Sequence, residues 1–168
     1  MVEGMKSRFA SDNLAYLRGR LALERHDWQQ AVQHFSSVSP PIDADQPSWF
    51  DLTVAFHLLW SRALSDEPFD VTADDLTTPW LWFRQQPQLN VLRQVGALGS
   101  ALALRRLGHV DLANRFAVWS LRDAEASPME SLADALTAVG LPTAPVEYLG
   151  DLDTLVDEMI AISADLGQ

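Results

Sequence analysis

Residues 11–37 read SDNLAYLRGRLALERHDWQQAVQHFSS. Leu14, Leu17 and Leu21, then Trp28, Ala31, Val32 and Phe35, return every three or four residues, the spacing that lines one face of a helix. His26 and Asp27 interrupt the two runs, so the stretch reads as a helical hairpin. Ser11 suits the first N-cap because its hydroxyl can accept an orphan backbone N–H, and Pro40 and Pro41 stop the second helix. Residues 1–10 then read as a flexible N-terminus and residues 11–168 as one all-α domain.

Further along the chain the same grammar repeats. Ser48 to about Leu64 carries a strongly apolar stripe through Trp49, Phe50, Leu52, Phe56, Leu59 and Trp60, the start of an irregular middle hairpin over 48–86. Asp66 to Thr78 mixes acids, Pro68 and Thr without a sustained period and reads as a longer connection with a short helix near Asp74. Trp80, Leu81, Trp82 and Phe83 are consecutive, so they cannot share one helix face. A long helix is expected from Leu89 to Leu107, a break at Gly108, and a second helix from Val110 to about Ala124. Gly96 and Gly99 inside the first of these weaken it unless a second helix must approach closely. Ser127, Pro128 and Glu130 mark a helix start that ends at Gly140. Leu152, Leu155, Val156, Met159 and Ile160 form the last amphipathic stripe, which either caps the helical stack or docks onto another chain.

Composition narrows the function. The 168 residues are enough for one core, and with no Cys the chain has no disulfide or thiol chemistry. A net charge of −11 argues against a general nucleic-acid binder, which needs basic groups to neutralise phosphates. No apolar run reaches the ~20 residues that span a bilayer, so no membrane partner and a cytoplasmic location are expected. Residues 1–122 hold all 12 basic residues and 13 of the acids, and residues 123–168 hold the other 10 acids. The acidic end is a solvated face, a dock for a basic partner, or a cover for Arg105, Arg106, Arg115 and Arg122.

Chemistry-bearing motifs are absent from the sequence. His26, His34, His57 and His109 lack the close pairing of a metal site, and Asp43 and Asp45 lack the downstream Gly and Glu of a calcium loop. Gly96 and Gly99 are not followed by the Lys-Ser/Thr of a phosphate loop, and no Gly-x-Ser-x-Gly elbow occurs. No catalytic residue, metal or cofactor is expected, although an all-helical enzyme with a composite site stays open as an alternative.

Leu21-Ala22-Leu23-Glu24-Arg25 and Leu102-Ala103-Leu104-Arg105-Arg106 agree at four of five positions and lie 81 residues apart, while Ala31 and Ala113 lie 82 apart, as though one residue had been added at the turn. Gly19, Asp27, Trp28, Ala31 and Phe35 stand at the spacings of a tetratricopeptide repeat, with His26 in place of the turn Gly. Ala101, Gly108 and Ala113 match in the later unit, where Val110 and Ala117 depart from the pattern. The chain thus resembles tetratricopeptide repeat proteins, with units about 11–41 and 89–125 and acidic helices over 128–168. The resemblance implies a stack of antiparallel hairpins and a groove lined by the first helix of each unit. Carried over residue by residue, that groove takes Asn13, Tyr16 and Arg20, and later Arg105 and Arg106. Trp80 and Trp82 are the candidate aromatic anchors, and the other four Trp are expected in the core. The expected function is a non-enzymatic adaptor or small acidic chaperone that binds a helix or peptide of another, basic protein. Self-association through the last helix is the structural alternative.

Overall fold

The computed structural model describes the backbone of residues 2–43, 45–65, 71–84, 90–122 and 152–164, with side chains over most of these. The described residues are helical and contain no strand: α1 (Val2–Glu24), α2 (Trp28–Ser36), α3 (Trp49–Leu64), α4 (Ala73–Arg84), α5 (Asn90–Arg106), α6 (Val110–Arg122) and α7 (Leu152–Ser163). The chain is all-α. The helix expected over 127–140 lies outside the described residues.

Two hairpins flank α3. In the first, α1 packs on α2 and α2 on α3; in the second, α5 packs on α6 and α3 lies along α5. Both turn with the same hydrogen bonds. The amides of His26 and Asp27 donate to the carbonyls of Leu23 and Ala22, and those of Gly108 and His109 donate to Arg105 and Leu104. Ala31 N–H then bonds the Asp27 carbonyl and Ala113 N–H that of His109, both at 3.0 Å. Every partner is offset by 82 residues. The offset of 81 suggested by the two Leu-Ala-Leu stretches is therefore a register slip within leucine-rich helices, and no residue is added at the turn. His26 (φ 58°) and Gly108 (φ 92°) hold the left-handed position that closes each first helix.

Helix α1 differs from its reading in two ways. It begins at Val2, so residues 2–10 are helical and Ser11 lies inside the helix rather than capping it; no Pro interrupts that stretch. Its buried face is also not the leucine stripe. Gly19, Ala22 and Leu23 point inward with half-buried Tyr16, while Leu14, Leu17 and Leu21 are 48%, 56% and 50% exposed. Small residues set this choice: a Cβ on Gly19 would stand 2.5 Å from the Phe35 ring, so α2 closes on α1 only along that face.

Helix α3 opens with a reciprocal cap, in which Ser48 Oγ accepts from Asp51 N–H and the Asp51 carboxylate accepts from Ser48 N–H. Trp49 follows as its first residue and is 58% exposed rather than core. Trp28 is half-buried and stacks on His26, with ring centroids 5.0 Å apart. Trp60 and Trp119 are buried as expected. The connection expected up to Thr78 is shorter than read: Thr72 and Asp75 cap each other and α4 runs from Ala73 through an internal Pro79.

Helix α7 packs between α4 and α6. Leu152, Leu155, Val156 and Met159 are buried there. Two ion pairs fasten it: Arg84 Nη2 lies 2.6 Å from Asp157 Oδ1, and Arg115 grips Glu158 with Nη1–Oε1 at 2.9 Å. Arg115 holds the Glu158 carboxyl below its usual pKa, mainly through this hydrogen bond.

Candidate functional site

The expected groove residues divide between inward and outward roles. Tyr16 sits among Phe35, Phe50 and His57, with ring centroids 5.9, 5.6 and 5.6 Å away. Its hydroxyl accepts from Arg20 Nη1 at 3.0 Å. Asn13 is half-buried on the same helix. Arg106 donates to the carbonyls of Ala63 (3.1 Å) and Ser65 (2.7 Å), satisfying the open end of α3, so it ties α5 to α3 rather than standing ready for a ligand. Arg105 is exposed on the adjacent position. Tyr16 thus packs on Phe50 and His57 of α3, and Arg106 on the carbonyls at the C-terminal end of the same helix.

The two anchor tryptophans also part. Trp80 is 1% exposed and its Nε1 donates to Ser100 Oγ at 2.8 Å, which makes it a core residue out of reach of a partner. Phe83 turns inward with it and Leu81 outward. Trp82 is half-buried and lines a cavity of about 260 Å³ between α3 and α4, beside Leu58, Arg62, Asp75 and Pro79.

A larger cleft, of about 410 Å³, opens between α1 and the segment joining α2 to α3. Phe9, Pro40, Ile42 and Phe50 form its apolar wall, and Asp12, Asp43 and Asp51 bring three carboxylates to it. Phe9 and Ile42 are 62% and 78% exposed. Asp12 fixes the geometry by accepting from both the backbone N–H and the hydroxyl of Ser39 at 3.0 Å, pinning the loop to α1. Sequence reading missed this cleft because Ile42 lies in a loop, where no period marks an apolar residue as part of a surface.

His57 is the one strongly perturbed histidine among the described residues. Nδ1 lies 2.8 Å from the Thr53 carbonyl and so carries the hydrogen, while buried Nε2 has no hydrogen-bond partner. Burial lowers its pKa to about 4, against the opposing Thr53 hydrogen bond, and Arg20 lowers it further. It is neutral near pH 7 and packs among Tyr16, Phe35 and Trp60. Among the described residues no group of three His, Asp or Glu stands close enough to hold a metal ion, and no helix is long and apolar enough to cross a membrane.

No known protein family, curated protein or solved structure matches this chain.

Proposed function

We propose that this protein is a non-enzymatic interaction module of the adaptor type, taking a peptide or helix of a basic partner in the cleft between α1 and the α2–α3 connection. The observation that carries this reading is the pairing of an exposed apolar wall, Phe9, Ile42 and Phe50, with the carboxylates of Asp12, Asp43 and Asp51. A bulky apolar side chain would fill the wall, and a neighbouring Lys or Arg would meet the acids; burial supplies affinity and charge supplies selectivity. The tetratricopeptide-like groove of Tyr16, Arg20, Arg105 and Arg106 is the weaker site, since Tyr16 and Arg106 are engaged within the fold. Self-association through α7 is disfavoured by the burial of its apolar stripe against α4 and α6.

Selection of a random peptide library on the immobilised protein, beside the Ile42→Asp/Phe9→Asp variant, tests the proposal. Enrichment of peptides with a large apolar residue next to Lys or Arg, lost on the variant, is the expected result. Enrichment that the variant retains would refute the cleft as the site.

A further inference from the structure

The 82-residue offset relates more than the turns. It sets Leu14, Leu17 and Leu21 of α1 at the positions of Gly96, Gly99 and Ala103 in α5. On α5 the two glycines face α3 and Ala103 is buried: a Cβ on Gly96 would meet the Phe56 ring at 2.9 Å, and one on Gly99 would meet the Phe56 carbonyl oxygen at 3.1 Å and the Trp60 nitrogen at 3.5 Å. On α1 the equivalent face carries three half-exposed leucines and no helix of the described chain. Both faces of α1 thus carry apolar or small residues at helical spacing, and among the described residues no helix covers the second.

The second face also has a sign. Ala10, Leu14, Leu17 and Leu21 follow a four-three-four spacing, the seam of a helix pair. Arg18 and Arg25 flank it on the α2 side, and they line a notch of about 290 Å³ with Leu21, Gln30 and His34, where Asp27 is the one carboxylate. Among the described residues neither Arg18 nor Arg25 makes an ion pair. Glu24 is the next position of the four-three-four spacing and closes the seam at the C-terminal end of α1. A second copy is a poor occupant. Antiparallel pairing with the leucines facing one another sets Arg18 against the other copy's Arg18, and parallel pairing sets Arg25 against Arg20.

We propose that the outer face of α1 is a docking site for an amphipathic helix of another protein whose apolar seam is flanked by Asp or Glu. Its leucine-type side chains cover Leu14, Leu17 and Leu21, and its carboxylates meet Arg18 and Arg25 at the notch. Leucines in place of glycines hold the incoming helix farther out than α3 stands from α5, within the usual 8–10 Å range of interaxial distances. This surface is separate from the acid-rimmed cleft and of opposite charge, so it stands whether or not the cleft takes a peptide.

The probe is a synthetic amphipathic helix a few heptads long, with Leu along the seam and Glu on both flanks, and a twin with Lys in place of Glu. Fluorescence anisotropy follows each against the full chain. The Glu peptide binds and its affinity falls with salt; Arg18→Glu/Arg25→Glu weakens it about tenfold, and Leu17→Asp removes it. All three residues are exposed, so helical circular dichroism stays unchanged in the variants. Equal binding of both peptides, no binding of either, or binding untouched by the charge reversal overturns the proposal. A wild-type dimer in sedimentation that Leu17→Asp disperses also overturns it, and assigns the face to a second copy.

Discussion

The hairpins α1–α2 and α5–α6 close with the same hydrogen bonds and bury different things. In α5 every residue from Val95 to Leu104 is buried, because α3 covers one side and α6 another. In α1 the side equivalent to the α3 contact carries half-exposed leucines, and no helix among the described residues packs on it. The backbone of a hairpin is therefore set by its turn and its small crossing residues, Gly19 and Ala31 in one unit, Ala101 and Ala113 in the other. Which outer face is occupied depends on whether that face carries glycine or leucine.

Exchanging these residues breaks the comparison most severely. Gly99→Leu forces a side chain into the backbone of α3 and should cost about 3 kcal/mol, the upper range for overpacking. The reciprocal Leu17→Gly removes only an exposed side chain and should cost about 1 kcal/mol, the helix penalty of glycine. Urea unfolding midpoints of the two variants measure the difference, and similar losses would mean that the two faces are not distinct.

The two junctions on α3 differ in the same sense. Phe56 meets α5 across an apolar contact, whereas neighbouring His57 meets Tyr16 and Phe35 of the first hairpin. With a folded pKa of about 4 below the usual 6.5, His57 binds protons more readily in the unfolded chain between these values. Its contribution is fully present above pH 6.5 and declines as pH falls, by about 3 kcal/mol at pH 4. His57→Leu should flatten that decline, read as unfolding free energy against pH; an unchanged slope would assign it to other groups.

Turn chemistry offers a smaller contrast. Gly108→Ala should destabilise the second hairpin by about 1 kcal/mol, because a side chain is strained at φ 92°. His26→Gly should gain less than that, since it also removes the stacking on Trp28. Thermal melts of the pair test whether the two turns are the same structure. Smallest of all, Arg115→Ala should lower stability by under about 1 kcal/mol, as half-exposed ion pairs do. Glu158, with its lowered pKa, adds stability at neutral pH that is lost as acid protonates it.

Much of the fold was legible in the sequence. His26-Asp27 and Gly108-His109 marked both turns because left-handed caps need particular residues, and α7 announced itself by a clean apolar stripe. Helix α4 was obscured by Pro79, which a short helix tolerates here and a sequence rule reads as a stop. The face of α1 was misread because it has two apolar sides. Leucine periodicity is louder than Gly19 and Ala22, yet the small residues decide where a neighbour fits. The same ambiguity hid the candidate sites: Tyr16 and Trp80 look like ligand-binding aromatics until their packing partners are known, and the cleft around Ile42 is assembled from segments far apart in the chain.

Hydrogen–deuterium exchange along the whole chain, with and without the Glu-flanked amphipathic helix, tests the central claim that α1 presents an unoccupied helix-docking face where α5 presents a filled one. The account expects slower exchange in the unliganded protein over α5 than over α1, and peptide-induced protection confined to residues 10–25. Protection spread over α5 or centred on the cleft at residues 39–51, or none anywhere, would contradict it.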